Sequence, residues 1–285
     1  MGSGDQALAA RLWRETVAVL GAVLAHDLPR LAAALTYYTV LSLFPALLVV
    51  VALLGLVGLS PDALRALLDA VGDLGAPWAV EFVADALDSI LSSHSSGFAL
   101  GLGTLLALWV ASAFVGAFMW ATDKIYAITA RRPFWRELPL RLGLALLLLV
   151  LLTTAAVTVA LVGPLGDRVA DLTGIGTGPL DLWSWIKWPL LVVLGLLMFG
   201  LLYRLAPARR QPSVWRLLAG AAVGVGLWIV ASAGFSVYLT HFATYNRVYG
   251  ALGAAVAFLV WAWVMNLALL LGVEVNRELE VRTDA

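Results

Sequence analysis

The segment from Leu31 through Ser60 carries no charged side chain. At about 1.5 Å per residue it is more than long enough to cross the ~30 Å core of a bilayer as a helix. No water is present at that depth to satisfy free backbone groups, so a single spanning segment of this kind must be helical. Its first half is nonetheless polar, with Thr36, Tyr37, Tyr38, Thr39 and Ser42 crowded together. Pro45 then removes a backbone donor and leaves the Leu41 carbonyl without its usual partner. Such groups need neighbouring helices or a wet cavity, so this helix is expected at the centre of a bundle.

Five further runs follow. Ser95–Thr122, Leu142–Gly166, Leu217–Thr240 and Val248–Val273 are uncharged, and Leu182–Tyr203 completes a span if Lys187 snorkels to the interface beside Trp183, Trp185 and Trp188. Only 13 % of the chain is charged and its mean hydropathy is +0.95, against about a quarter charged in a soluble domain. The fold class is therefore all-α: a polytopic membrane protein with six transmembrane helices.

Two other helical elements are expected. Leu8, Leu12, Trp13, Val17, Leu20 and Leu24 give Asp5–Asp27 one apolar face, as in a helix lying on the membrane. A cleaved signal peptide is the rival reading, but the apolar run is short, lacks a cleavage pattern and is followed by His26, Asp27 and Pro29. After the first span, Ser60-Pro61-Asp62 reads as a helix start, and two apolar-periodic runs separated by Gly72–Pro77 form an acidic helical hairpin over 60–97. It could gate a vestibule, dock an envelope partner, or merely cap the span. The layout is then an interfacial helix at 1–29, a six-span domain at 30–280 and a short tail at 281–285.

Charge assigns the sides. With the N-terminus cytoplasmic, the outer segments hold only Arg65, Arg168, Lys187 and Arg247 of 18 basic residues. That is a strong positive-inside bias, and an even number of spans puts both termini in the cytoplasm. Small residues recur at i, i+4 in Gly220/Gly224, Ser232/Ser236, Gly253/Ala257 and Ser112/Gly116, which lets backbones approach. Packing within the chain accounts for the pattern, and a homodimer face stays open.

Two separated motifs carry a family resemblance. Ala32-Ala33-Ala34-Leu35-Thr36-Tyr37-Tyr38 with Leu41-Ser42-Leu43-Phe44-Pro45 is the first; Tyr245-x-x-x-Tyr249-Gly250-Ala251-Leu252-Gly253, Trp261-Ala262-Trp263 and Leu271-Gly272-Val273-Glu274-Val275-Asn276 form the second. Together they resemble the YihY/virulence factor BrkB family over roughly Leu28 to Glu280. Val273 departs from the alanine more common there. The resemblance implies an integral inner-membrane protein, with envelope transport or lipid handling as the usual suggestion.

That family also carries an old ribonuclease BN label, which these residues do not support. Metal-dependent nucleases gather carboxylates or histidines, whereas His26, His94 and His241 are far apart in sequence and each reads as standing alone. No aromatic-lined basic groove for nucleic acid is evident, the chain has no cysteine, and phosphate-loop, dinucleotide and zinc-protease patterns are missing. The expectation is a non-enzyme without metal or cofactor, whose partners are membrane lipids and, if any protein, a second copy or an envelope component.

Three groups of residues are candidates for function. Thr36, Tyr37, Ser42 and Asn266 are expected to line a cavity that Pro45 opens by bending the first helix. Arg30, Asp123, Glu274, Asn276 and Arg277 form a cytoplasmic polar cluster, in which Glu274 is expected to pair with Arg30 or Arg277. Tyr245, Arg247 and Tyr249 sit at the outer mouth. Polar and ionisable groups at membrane depth are often functional, although helix-end anchoring explains the cluster equally well. The two function classes that follow are a transporter or flippase-like protein for an amphiphilic envelope substrate, and a non-transporting scaffold or assembly factor.

Overall fold

A computed structural model describes residues 21, 25–56, 105–130, 132–160, 178–209, 214–242 and 246–284. Nearly all of the expected interfacial helix, the hairpin at 60–97 and Tyr245 lie outside these residues, and of Arg247 and Tyr249 only the backbone is described. The described helices are α1 (Leu28–Leu56), α2 (Ala113–Ile125), α3 (Phe134–Ala160), α4 (Gly178–Leu205), α5 (Val214–Phe242) and α6 (Asn246–Asp284). α2 is the second part of a longer helical segment, Leu105–Ile125, interrupted by a turn at Ser112.

Among the described residues five segments are long and apolar enough to cross a membrane: Leu105–Ile125, Phe134–Thr158, Trp185–Leu205, Val214–Tyr238 and Ala255–Val281. α1 supplies a sixth, with 29 residues and Arg30 as its sole charge. Leu146, Leu152, Val193, Val230 and Val256 are exposed along the faces of α3 to α6. In water such faces would drive aggregation; in a bilayer, lipid covers them. The protein is an all-α polytopic membrane protein.

Local chemistry sets the ends. Asp27 holds a left-handed φ of 53°, and its carbonyl accepts the Arg30 and Leu31 N–H groups at 2.9 and 3.1 Å to start α1. Pro29 fits there because the first helical turn has no use for its missing donor. α2 closes with Ala127 at φ 52°, where the Ala127 and Ile128 N–H groups turn back to the Lys124 and Asp123 carbonyls. This is the double-bonded helix stop usually built on glycine.

The helices overrun their apolar segments, α3 and α6 furthest. α3 begins at Phe134, ahead of Leu142, and takes in Arg136, Glu137 and Arg141; α6 runs on through Glu274, Arg277 and Glu280 to Asp284. A missing charge marks the hydrocarbon core, not the end of a helix, because the backbone ladder does not depend on side-chain polarity. α1 likewise continues as helix through Pro45.

The chain divides into two compact units: Met1–Thr39, Gly116–Pro133 and Phe199–Ala285 form one, and Val40–Val115 with Phe134–Met198 form the other. In the first, α5 and α6 pack against each other, and Leu28, Leu31, Leu35, Phe118, Ile125 and Leu270 are buried. A Cβ on Gly220 would land on the Asn276 side chain and the Gly272 carbonyl, so these two glycines are where the α5 and α6 backbones meet. The Gly220/Gly224 motif is thus used inside the chain. In the second unit Val49, Ala111 and Leu149 form a buried cluster, flanked by Ala46, Val50, Ala107 and Leu108.

Candidate functional site

The last turns of α6 gather the polar groups of the first unit. Glu274 is fully buried, with 0 % exposure. His26 Nδ1 donates to its Oε2 at 2.9 Å, and Arg277 Nη1 donates to its Oε1 at 3.0 Å. Arg277 also reaches Glu278 at 3.4 Å. A buried carboxylate is tolerated only when its charge is matched and its lone pairs are used, and here each oxygen has one donor. The Arg277 partner was expected from the sequence. Arg30 is not the second partner: it turns outward and bonds Asp27 at 3.3 Å. His26 takes that place, so it does not stand alone. No spacing rule links two residues 248 positions apart.

Asn276, also buried, accepts the Gly220 N–H at 3.0 Å, pinning α5 to α6. Asp123 caps a different element, accepting the Ala208 N–H at 2.8 Å. The five residues expected as one cluster therefore divide: Glu274 and Arg277 form an ion pair, Asn276 makes a helix–helix bond, and Asp123 and Arg30 serve elsewhere.

Three residues that sequence reasoning overlooked complete this region. Tyr203 is buried and donates to the Leu269 carbonyl at 2.7 Å, its ring stacked on Phe118. Arg132 donates to the carbonyls of Leu205, Ala206 and Pro207 at 3.0, 3.1 and 2.6 Å, capping the end of α4. Arg209 pairs with Glu280 and lies over the Tyr126 ring. Nothing local to Arg132 signals this role, because the helix end it caps lies 73 positions further along the chain.

Deeper along α6, two turns before Glu274, Asn266 Nδ2 donates to Thr36 Oγ1 at 3.3 Å, Thr39 Oγ1 at 3.1 Å and the Ala262 carbonyl at 2.9 Å. Thr36 and Thr39 in turn donate to carbonyls one turn back in α1. Thr36 and Asn266 are thus brought together and satisfied by each other. Tyr37 is 65 % exposed and meets Tyr38 edge-on, pointing away from this pair.

Ser42 and Pro45 belong to the other unit, where Ser42 does something specific. Its hydroxyl accepts the Phe114 N–H and donates to the Val110 carbonyl, both at 3.3 Å. Those two groups lie one turn apart on the second span, so Ser42 ties α1 to that span's backbone. Nearby, Arg141 Nε donates to the Ser112 carbonyl and hydroxyl, both at 2.9 Å, with its guanidinium over Trp109.

Comparison with known proteins places the chain. The family model described as virulence factor BrkB matches residues 19–285. The chain belongs to that family. Among BrkB relatives, the ribonuclease-like protein YfkH of Bacillus subtilis (strain 168) is 27 % identical over 90 % of this chain and 92 % of its own. A UPF0761 membrane protein of Aeromonas salmonicida (strain A449) is 28 % identical over 84 % of this chain and 80 % of its own. Another, from Halorhodospira halophila (strain DSM 244 / SL1), is 38 % identical over 43 % of this chain and 29 % of its own. No solved structure matches. The ribonuclease-like name belongs to the Bacillus protein; among the described residues of this BrkB member, no group of three or more His, Asp or Glu side chains stands ready to hold a metal ion.

Tyr126 gives this region a pH signature. Burial first, and then the Glu280 carboxylate, push its hydroxyl up to about 12 from an ordinary 10. Below pH 10 it is neutral whether the chain is folded or not, and stability is unaffected. Between 10 and 12 the unfolded chain loses the proton and the folded one keeps it, so stability falls as pH rises. Tyr126→Phe should flatten that alkaline limb in thermal melts run from pH 9 to 12, and an unchanged limb would remove Tyr126 as its source.

Proposed function

We propose that the protein lies in the cell inner membrane with both termini in the cytoplasm and moves a lipid or another amphiphile. What carries this reading is a groove of about 240 Å³ between α5 and α6. It is lined by Ala231, Gly234, Phe235, Tyr238, Val260, Trp261, Val264 and Met265, within two membrane-spanning segments. An apolar chain could enter it sideways from the bilayer. The buried Glu274 cluster lies on the same α6, nine residues and about 13 Å beyond Met265. That separation suits a substrate with an apolar tail and a polar end. The Trp185 and Trp188 rings, exposed beside Lys187, suit the outer membrane interface in this orientation.

The test is movement of a fluorescent phospholipid between leaflets of reconstituted liposomes, with and without an ion gradient. Gly234→Leu, which fills the groove from an open position, is expected to slow it at least tenfold while the protein stays folded. Wild-type protein that moves nothing would leave the scaffold reading in front. One observation favours that second reading: Thr36, Ser42 and Asn266 spend their hydrogen bonds within the protein. A scaffold would need a partner surface other than the Gly220/Gly224 face, whether for a second copy or for an envelope protein. Cysteine labelling at Ser93 from outside, and no labelling at Ala208, is the outcome expected for the orientation.

A further inference from the structure

The start of α1 has two sides, and one of them is used inside the protein. Leu31, Ala32 and Leu35 are buried, and Thr36 is spent on Asn266 and its own helix. Arg30, Ala33 and Tyr37 lie on the other side and are exposed. Arg30 and Tyr37 stand seven residues apart, so they share a face with about 10 Å between their Cα atoms. Ala33 and Ala34 fill the interval with nothing larger than a methyl group. Helical side chains lean over the turn before their own, which carries the Tyr37 ring over the alanines towards Arg30. That ring meets Tyr38 edge-on with centroids 5.3 Å apart, and its hydroxyl bonds none of the described residues. The Arg30 side chain is 84 % exposed and holds the half-exposed Asp27 carboxylate through a single bond of 3.3 Å.

We propose that this face binds one phospholipid with a phosphoethanolamine headgroup: Arg30 takes the phosphate, Asp27 the ammonium, and Tyr37 an ester oxygen of the glycerol. The match is charge by charge. A guanidinium offers paired donors to phosphate oxygens. The carboxylate beside it repels a second anion and accepts N–H bonds from an ammonium. Arg30 and Asp27 are paired at the surface, where such a bond is weak, so exchanging it for two bonds to a ligand costs little. Depth agrees. Arg30 is the sole charge of α1 and the uncharged run begins at Leu31, which sets the guanidinium at headgroup level. A tyrosine two turns deeper keeps its ring among the lipid chains while its hydroxyl reaches the interface. Phosphocholine has no N–H for Asp27, and a phosphoglycerol headgroup has no cation for it.

The site needs α1 to span a bilayer and asks nothing of transport, so its test reads binding alone. Purified protein in detergent is titrated with phosphatidylethanolamine, phosphatidylcholine and phosphatidylglycerol of equal chain length, and bound lipid is counted by native mass spectrometry. One phosphatidylethanolamine should bind about tenfold more tightly than either rival, the worth of one charge-assisted bond at a solvated site. Arg30→Gln should remove about that much of its affinity. Tyr37→Phe should weaken all three lipids about threefold, the worth of one neutral bond. Asp27→Asn suits the left-handed backbone at that position and should erase the preference over phosphatidylglycerol. Arg204→Gln, which removes another exposed arginine at the end of α4, should change nothing. All four side chains are at least half exposed or lie at a helix end, so the variants are expected to fold. Wild-type binding that ignores the headgroup, or that favours phosphatidylglycerol, overturns the proposal. So does an Arg204→Gln loss as large as that of Arg30→Gln, which would make Arg30 one basic anchor among several.

Discussion

Arg277→Met should destabilise the protein more than Glu274→Gln, although the two remove opposite ends of one ion pair. Losing Arg277 leaves a carboxylate with no exposure dependent on His26 alone. Breaking a buried pair this way costs about 3–5 kcal/mol. Losing the carboxylate leaves Arg277, which is partly solvated at 27 % exposure and has Glu278 within reach. The loss should then fall below that range, at about 2 kcal/mol. Removing both should recover much of the deficit, since no uncompensated charge remains. Unfolding curves in one detergent for the two single variants and the double variant check this. Equal single losses that simply add would mean the pair is not coupled.

Gly272→Ala is expected to destabilise the protein strongly. Its Cβ would strike the Tyr203 hydroxyl and lie 2.6 Å from the Gly220 carbonyl, with backbone on one side and a buried ring on the other. Neither can swing away, because Tyr203 is bonded to Leu269 and packed between Phe118 and Phe199. Overpacking a filled site costs about 1–3 kcal/mol, and two rigid neighbours put this variant at the top of that range. Tyr203→Phe in the same chain should relieve part of the clash and leave the part due to Gly220. Gly226→Ala is the control: nothing stands within 4 Å of its added methyl, so a gain of up to about 1 kcal/mol is expected from helix propensity. Melts that rank Gly226→Ala beside Gly272→Ala would refute this account of α5–α6 packing.

The sequence showed the helices well and the site less well, for a physical reason. Removing charge from a long segment is demanded by lipid, so the runs beginning at Leu31, Leu217 and Val248 could be read one at a time. Where helix outlasts lipid, as at Phe134 and beyond Val273, that signal stops before the helix does. The Glu274–Arg277 pair was legible because it is local, one turn along α6. His26 and Ser42 were not, because each partner is set by how distant helices pack. Polarity within a span shows that a group must be satisfied, not by what. Thr36 and Asn266 satisfy each other, Ser42 satisfies the α2 backbone, and Tyr37 turns outward.

The turns at 126–130 and 206–209 look by composition like places to cut the chain or add to it. Arg132 and Asp123 make them otherwise. One guanidinium gathers three consecutive carbonyls, and one carboxylate holds the next amide but one past Ala206, so the two connections are stitched side by side. A protease must first peel such a segment from its partner, and an epitope tag or reporter inserted there would pull both seams apart. Engineers of this protein should tag elsewhere.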